Sequence, residues 1–368
     1  MSTKVEVLKQ QAPISKSVQV ISGIVLVVVL SILAWWITKQ VYGVKGIFLG
    51  VPGKALEYPL WGAIIGLVGN LLLKAAGTHE LVKPGIRTEL FLKTGLVLMG
   101  AGINLALLIT AAGGAILQGL IMIVSVFFFT YWLAGKFGVD DKLRAVMSMA
   151  LSVCGISAAI AAAGAVQAKK EQVTYVTTLV ILVALPLMVI TPLLASAMHL
   201  PQAIAGAWFG GNIDTTAAVI GAGTIYGEQA QKVASIVKQT QNALIGVVAL
   251  LLAVAYARKS GGTKEQINVK MIWTRFPKFV IGFVITSILF TIFLNVNKEL
   301  ATSSLKSIDA LKSWFFMAAF VCMGLELSLT EFRSMGWKPV AVFLIATLFN
   351  TLLGLGVSLM IFTYLFPL

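Results

Sequence analysis

The chain has 368 residues, of which 58% are hydrophobic and only 11% charged, and its mean hydropathy is +0.94. A net charge of +14 would suit a nucleic-acid binder in a soluble protein, but here Lys and Arg sit between apolar runs or at their ends, where they act as topology signals. Apolar runs of about 20 residues cross a ~30 Å hydrocarbon core as helices, whereas the period-two alternation of an outer-membrane barrel is absent. The composition therefore points to an all-α polytopic membrane protein and argues against nucleic acid as a partner.

The first apolar run, Val18 to Ile37, follows Lys4, Lys9 and Lys16. It is longer than a signal-peptide core and has no A-x-A-like site after it, so it reads as a retained helix. Ten further spans are expected near 56–74, 88–109, 113–135, 142–166, 173–197, 202–223, 230–257, 274–295, 309–330 and 338–364, about eleven in all. Placing the N-terminus in the cytoplasm puts most loop cations inside. Lys169 and Lys170 are the exception, and a re-entrant fifth segment would remove it.

Internal similarity suggests an architecture. Leu96–Leu105 and Phe320–Leu329 share V-x-M-G-x-x-[IL]-x-L, and Asn104 and Ser328 align within it. Ser157–Gly164 (SAAIAAAG) resembles Thr216–Gly223 (TAAVIGAG), while Val153–Gly155 loosely resembles Val321–Gly324. The simplest scheme has a tail and leading helix (1–55) followed by two inverted five-helix repeats (56–199 and 200–368) with discontinuous helices.

Polar residues inside the spans mark the expected solute pathway. The segment Gly206–Asn242 is the densest. In it, Gly210 and Gly211 before Asn212, Asp214, Thr215 and Thr216 suggest a helix interruption followed by a cap. Asp214 would take up a proton or help bind Na⁺, or else serve as a structural cap. Lys238, Gln241 and Asn242 share a helix face. Lys238 would neutralise an anionic substrate or pair with Asp214, or it simply snorkels from a helix end. Cys154, Gly155 and Ser157 in the fifth span would place free N–H groups at mid-membrane if the helix breaks there, or form a small-residue packing face. Glu326 and Lys93 are further intramembrane charges, and Glu326 is the stronger functional candidate.

No HExxH, GxSxG or P-loop occurs, and His79 and His199 lie in short loops, so neither an enzyme nor a catalytic group is expected. Cys154 and Cys322 form no CxxC or Cys/His cluster, so no metal and no cofactor is expected beyond a coupling ion, Na⁺ or H⁺.

At Cys154-Gly-Ile-Ser157, Gly206-Ala-Trp-Phe-Gly-Gly-Asn-Ile-Asp-Thr-Thr216 and Val237-Lys-x-x-Gln-Asn242 the chain resembles the YeiH-type family of bacterial inner-membrane proteins, named for sulfate export. The resemblance runs from about Gly53 to the end and implies an anion carrier. Where that family's pattern more often has histidine and arginine, this chain has Asp214 and Gln241. A distant similarity to the cation/proton antiporter and bile-acid symporter group implies two discontinuous helices crossing at mid-membrane, one at Cys154–Ser157 and its partner near Met323–Glu326. The expectation is a secondary transporter of the inner membrane moving sulfate or an organosulfonate-like anion, with a Na⁺/H⁺ antiporter-like carrier as the alternative. Ser157, Asn212, Thr215, Thr216, Lys238, Gln241 and Asn242, with Cys154, Gly155 and Gly211, would contact substrate. Asp214 and Glu326 would couple the ion. The expected partners are a small anion and the lipid bilayer, and a homodimer is admitted.

Overall fold

The computed structural model describes residues 15–42, 47–48, 51–52, 57–259, 277–327 and 336–368. Ser328, Lys264, Lys270, Arg275 and Arg333 lie outside them. The described helices are α1 (Lys16–Tyr42), α2 (Tyr58–Ala75), α3 (His79–Val82), α4 (Thr88–Gly100), α5 (Leu105–Lys136), α6 (Asp141–Ser152), α7 (Ile156–Val166) and α8 (Lys170–Ala197). They continue as α9 (Gln202–Asn212), α10 (Thr216–Tyr226), α11 (Glu228–Ala243), α12 (Ile245–Lys259), α13 (Phe279–Val296), α14 (Lys298–Glu326) and α15 (Trp337–Met360). A two-residue hairpin pairs Ile47–Phe48 with Val51–Pro52.

Polar caps set where several of these helices start. Asn104 accepts from Leu107 N at 3.0 Å at the head of α5, and Asn297 accepts from Leu300 N at 3.0 Å at the head of α14. Asp140 accepts from the amides of Lys142 and Leu143 at 3.1 and 3.2 Å, which fixes the start of α6. Pro59 sits in the first turn of α2, where its missing N–H costs nothing.

Eight helices among the described residues are long and apolar enough to cross a membrane: α1, α2, α5, α8, the joined α11–α12, α13, α14 and α15. Eleven spans were expected, and the difference has a physical origin. Mean hydropathy reports how apolar a stretch is, not whether it turns back. The expected span 88–109 holds a helix of only 13 residues, with α5 already under way at Leu105. The expected spans 142–166 and 202–223 each break in the middle.

Both broken segments are hairpins. In the first, Lys142 Nζ donates to the carbonyl of Gln167 at 2.9 Å, and Gln172 Nε2 donates to Asp140 Oδ1 at 2.7 Å. The start of α6 and the end of α7 therefore lie on one face of the molecule. That is the re-entrant fifth segment expected from Lys169 and Lys170. In the second, the amide of Gln229 donates to Gln202 Oε1 at 3.1 Å, and the Tyr226 hydroxyl donates to the carbonyls of Ala195 and Leu200. The start of α9 and the end of α10 thus share the other face, since α8 carries the chain from one hairpin's mouth to the other's. Half-helices of 11 or 12 residues are about 17 Å long, which brings each tip to the middle of a ~30 Å core.

The first hairpin's face also receives the end of α12, where the Tyr256 hydroxyl and Lys259 Nζ both bind Asp141. The start of α15 lies there too, with the Tyr175 hydroxyl donating to the Gly336 carbonyl at 3.2 Å. On the outside, α1 and α13 present apolar side chains such as Val25, Ile32, Ile285 and Leu289. Against the core, α2 and α14 meet through Gly66 and Gly324. A Cβ on Gly66 would lie 2.1 Å from the Val321 carbonyl oxygen, so only glycine allows this approach.

α14 runs unbroken through Met323 to Glu326, so the second break expected there is instead the one between Asn212 and Thr216. The aligned segments Ser157–Gly164 and Thr216–Gly223 occupy like positions, each forming the returning helix of a hairpin.

Candidate functional site

The hairpin tips meet. The first, Val153-Cys154-Gly155, turns on Gly155 at φ +68°, a left-handed conformation that favours glycine. A Cβ there would lie 2.6 Å from Val180 Cγ1 and 3.3 Å from the carbonyl oxygen of Asp214 in the second tip, Ile213-Asp214-Thr215. The second tip needs no left-handed residue. Thr215 caps α10 by accepting from Ala218 N at 3.2 Å.

Behind the tips lies a buried polar layer. Lys238 Nζ donates to the Val153 carbonyl at 2.7 Å and to Gln241 Oε1 at 3.0 Å, tying α11 to the first tip. Asn350 Nδ2 of α15 donates to the Asn212 carbonyl at 2.8 Å and approaches Asp214 Oδ1 at 3.5 Å and the Leu151 carbonyl at 3.4 Å. The Thr351 hydroxyl donates to Asn212 Oδ1 at 3.0 Å. Asp214 and Lys238 are each 1% exposed and feel one another's charge without a direct ion pair. Asp214 Oδ2 has no hydrogen-bond partner among the described residues.

In front of the tips lies a cavity of about 650 Å³. Of the residues singled out in the sequence, Cys154, Ser157, Thr215, Thr216, Asn242 and Glu326 line it, as does Lys93. Its walls include Leu92, Leu96, Ile181 and Phe279, and Glu89 and Lys278 add charge. Asn242 Nδ2 donates to the Thr216 hydroxyl at 3.2 Å, linking the cavity to the layer behind it. The remaining expected contacts, Asn212, Lys238 and Gln241, lie in the buried layer. Gly155 shapes the first tip without lining the cavity. Gly210 and Gly211 are helical and serve packing. A Cβ on Gly210 would lie 2.7 Å from the Ala234 carbonyl oxygen, and one on Gly211 would lie 2.2 Å from Gln118 Nε2. Gly206 and Gly210 let α9 lie directly on α11, and Gly211 lies against α5.

Two half-helices begin at this cavity. Ile156 and Ser157 open α7, Thr216 and Ala217 open α10, and all four line it. The first-turn N–H groups of a helix have no intrahelical partner and carry partial positive charge, and α7 has no side-chain cap to cover them. Two such ends converging on one cavity can hold an anion.

The sequence reading passed over Glu89, Asn350 and Gln118. Glu89 Oε1 accepts from the Ser157 hydroxyl at 2.9 Å and Oε2 accepts from Lys93 Nζ at 2.6 Å, so Lys93 pairs with Glu89 and not with Glu326. Gln118 Nε2 donates to the Ala207 carbonyl and to Ser358 Oγ. An acid in a first helical turn and a lone amide in a long apolar helix are local signals too weak to stand out. Among the described residues no group of three or more His, Cys, Asp or Glu is placed to hold a metal ion.

Residues 22–343 match the family described as conserved hypothetical protein 698. A UPF0324 membrane protein of Rhodopirellula baltica is 35% identical over 356 residues, covering 93% of this chain and 63% of its own length. A UPF0324 membrane protein of Nitratidesulfovibrio vulgaris is 36% identical over 326 residues, covering 83% of this chain and 55% of its own length. A third, from Lactobacillus johnsonii, is 30% identical over 266 residues, with 67% of this chain and 75% of its own covered. The chain thus spans less than two thirds of the length of the first two relatives. No solved structure matches.

Proposed function

The chain belongs to the conserved hypothetical protein 698 family, whose relatives are UPF0324 membrane proteins, and from that premise we propose that it is a secondary transporter for a small anion. The observation that carries this reading is the convergence of the N-terminal ends of α7 and α10 on one cavity, with the hydroxyls of Ser157, Thr215 and Thr216 and the amide of Asn242 beside them. A sulfate or an organosulfonate fits this donor set, because its oxygens accept hydrogen bonds from N–H and O–H groups. The two hairpins, each followed by a crossing helix and opening to opposite faces, form an inverted pair around the site. That is the arrangement on which alternating access is built. Lys169 and Lys170 return to the face where α6 begins, beside Lys136, Lys142 and Arg144, and the positive-inside rule assigns such a cation-rich face to the cytoplasmic side of a bacterial inner membrane.

A second reading has one observation in its favour. Asp214 is buried in the hydrogen-bonded layer with one oxygen unpartnered, which suits a group that binds H⁺ or Na⁺. The test is the melting temperature of the detergent-purified protein across sulfate, sulfite, thiosulfate, taurine, bicarbonate and small carboxylates, with and without Na⁺. An anion that binds only the folded state stabilises it by about 2.7 kcal/mol at 100-fold excess over Kd. The anion reading expects a shift specific to one anion class that is lost in the Ser157→Ala/Thr216→Val double variant. A shift with Na⁺ or pH alone, lost in Asp214→Asn, would replace it with the cation-carrier reading.

A further inference from the structure

Glu89 stands where the proposed anion would bind. Ser157 is the second residue of α7, so its hydroxyl belongs to the uncapped helix end that faces the cavity. In this structure that hydroxyl is taken: it donates to Glu89 Oε1 at 2.9 Å. A carboxylate carries the same charge and the same acceptor oxygens as the expected ligand. Building on the anion-carrier reading, we propose that Glu89 is a tethered competitor for the anion site, which yields it on protonation, so that one proton and one anion bind together.

The charges around Glu89 support this stoichiometry. On its own helix Lys93 holds Oε2 at 2.6 Å. From α14 Glu326 faces the same space, and Lys278 contributes from the start of α13. From α7 comes Ser157, and from the first tip the Cys154 thiol. The charged lining is therefore two acids and two bases, and the layer behind adds one more of each, Asp214 and Lys238. A balanced lining offers an anion no net attraction, and an ionised Glu89 repels it at the contact point. One proton on Glu89 removes that repulsion, frees Lys93 from its ion pair and leaves the lining with one net positive charge, two bases against Glu326. The neutral acid then has an O–H to donate, so it turns from competitor into an additional donor.

The experiment is calorimetric titration of the full chain in nanodiscs with methanesulfonate and with sulfate, in two buffers of different ionisation enthalpy and over a range of pH. The expected result is uptake of about one proton per anion, with Kd rising about tenfold per pH unit once Glu89 is ionised. Glu89→Gln should bind with no proton uptake and a flat pH profile. Glu80→Gln, which removes an exposed acid outside the cavity, should keep the uptake. Wild-type binding without proton uptake overturns the proposal even if the Glu89 variant fails to fold. So does a folded Glu89→Gln that keeps the uptake or no longer binds. If neither probe binds the wild type at any pH, the anion-carrier reading itself fails and this one falls with it.

Discussion

The two hairpins are built alike and fastened differently. The second is buried along nearly its whole length, with α9 laid on α11 through Gly206 and Gly210 and its tip held by Asn350 and Thr351. The first has one side open to the cavity, where Ile156 and Ser157 are half-exposed and Ile160 is exposed. Several of its polar ties lie at the mouth, where Asp141 Oδ1 accepts from the Tyr131 hydroxyl at 2.6 Å and Oδ2 accepts from Lys259 Nζ at 2.8 Å. Among the described residues, Lys238 reaches its tip at the Val153 carbonyl and Asn350 the last turn of α6 at the Leu151 carbonyl. Buried polar bonds fix geometry most firmly where both partners are shut off from water. The second tip is therefore the platform of the site, and the first is the side through which the cavity is reached.

Breaking the link between the tips should cost most. Lys238→Met leaves Asp214 without its buried counter-charge and the Val153 carbonyl without a donor, for an expected loss of about 3 kcal/mol in detergent unfolding. Adding Asp214→Asn to the same chain should recover about half of that loss. An unchanged melting temperature in the single variant would remove the idea that this pair joins the hairpins. Next comes the clamp on the platform. Asn350→Leu should cost about 2 kcal/mol by stranding the Asn212 carbonyl. Hydrogen exchange should accelerate at 212–216 and not at 140–144, and equal acceleration in both segments would erase the distinction between them.

The smallest effect sharpens the comparison at the first hairpin's mouth. Partial burial pushes the Asp141 carboxyl upward, but the hydrogen bonds from Lys259, Tyr131 and Tyr256 outweigh it and hold the group down at about 2. A carboxyl depressed in the fold stabilises fully above its unfolded value of 3.8, and that contribution disappears as pH falls toward 2. Melting curves between those pH values should show a loss that Asp141→Asn lacks. Because this site is largely exposed, the difference should be a small one.

What was legible in the sequence follows from what is local. The breaks near Cys154 and Asp214 showed as glycines and polar side chains inside apolar runs, and the misplaced cations Lys169 and Lys170 announced the first return. The pairing of Ser157–Gly164 with Thr216–Gly223 was also visible, since both segments must be small enough to lie against other backbones. The second return was not, because the segment after Tyr226 carries too little charge to expose the error. Met323–Glu326 was expected as a crossing point from the distant similarity to the cation/proton antiporter and bile-acid symporter group, yet Gly324 serves close packing against α2, where a Cβ would lie 2.3 Å from the Ala63 carbonyl oxygen. Asn350 acts through partners such as Asn212, 138 residues away, and Glu89 reaches the first hairpin through Ser157, 68 residues away, while its local pairing with Lys93 looks like any surface i,i+4 pair.

The reach of Asn350 bears on how the protein is made. A hairpin tip carries backbone groups that hydrocarbon cannot satisfy, so neither α6–α7 nor α9–α10 is stable in the bilayer until other helices stand ready to receive it. The donors that meet the first tip come from Lys238 and Asn350, far later in the chain. The first hairpin therefore gains its full set of donors only once α15 is in place. A lesion in that last helix would then appear as a defect in a segment made some two hundred residues earlier.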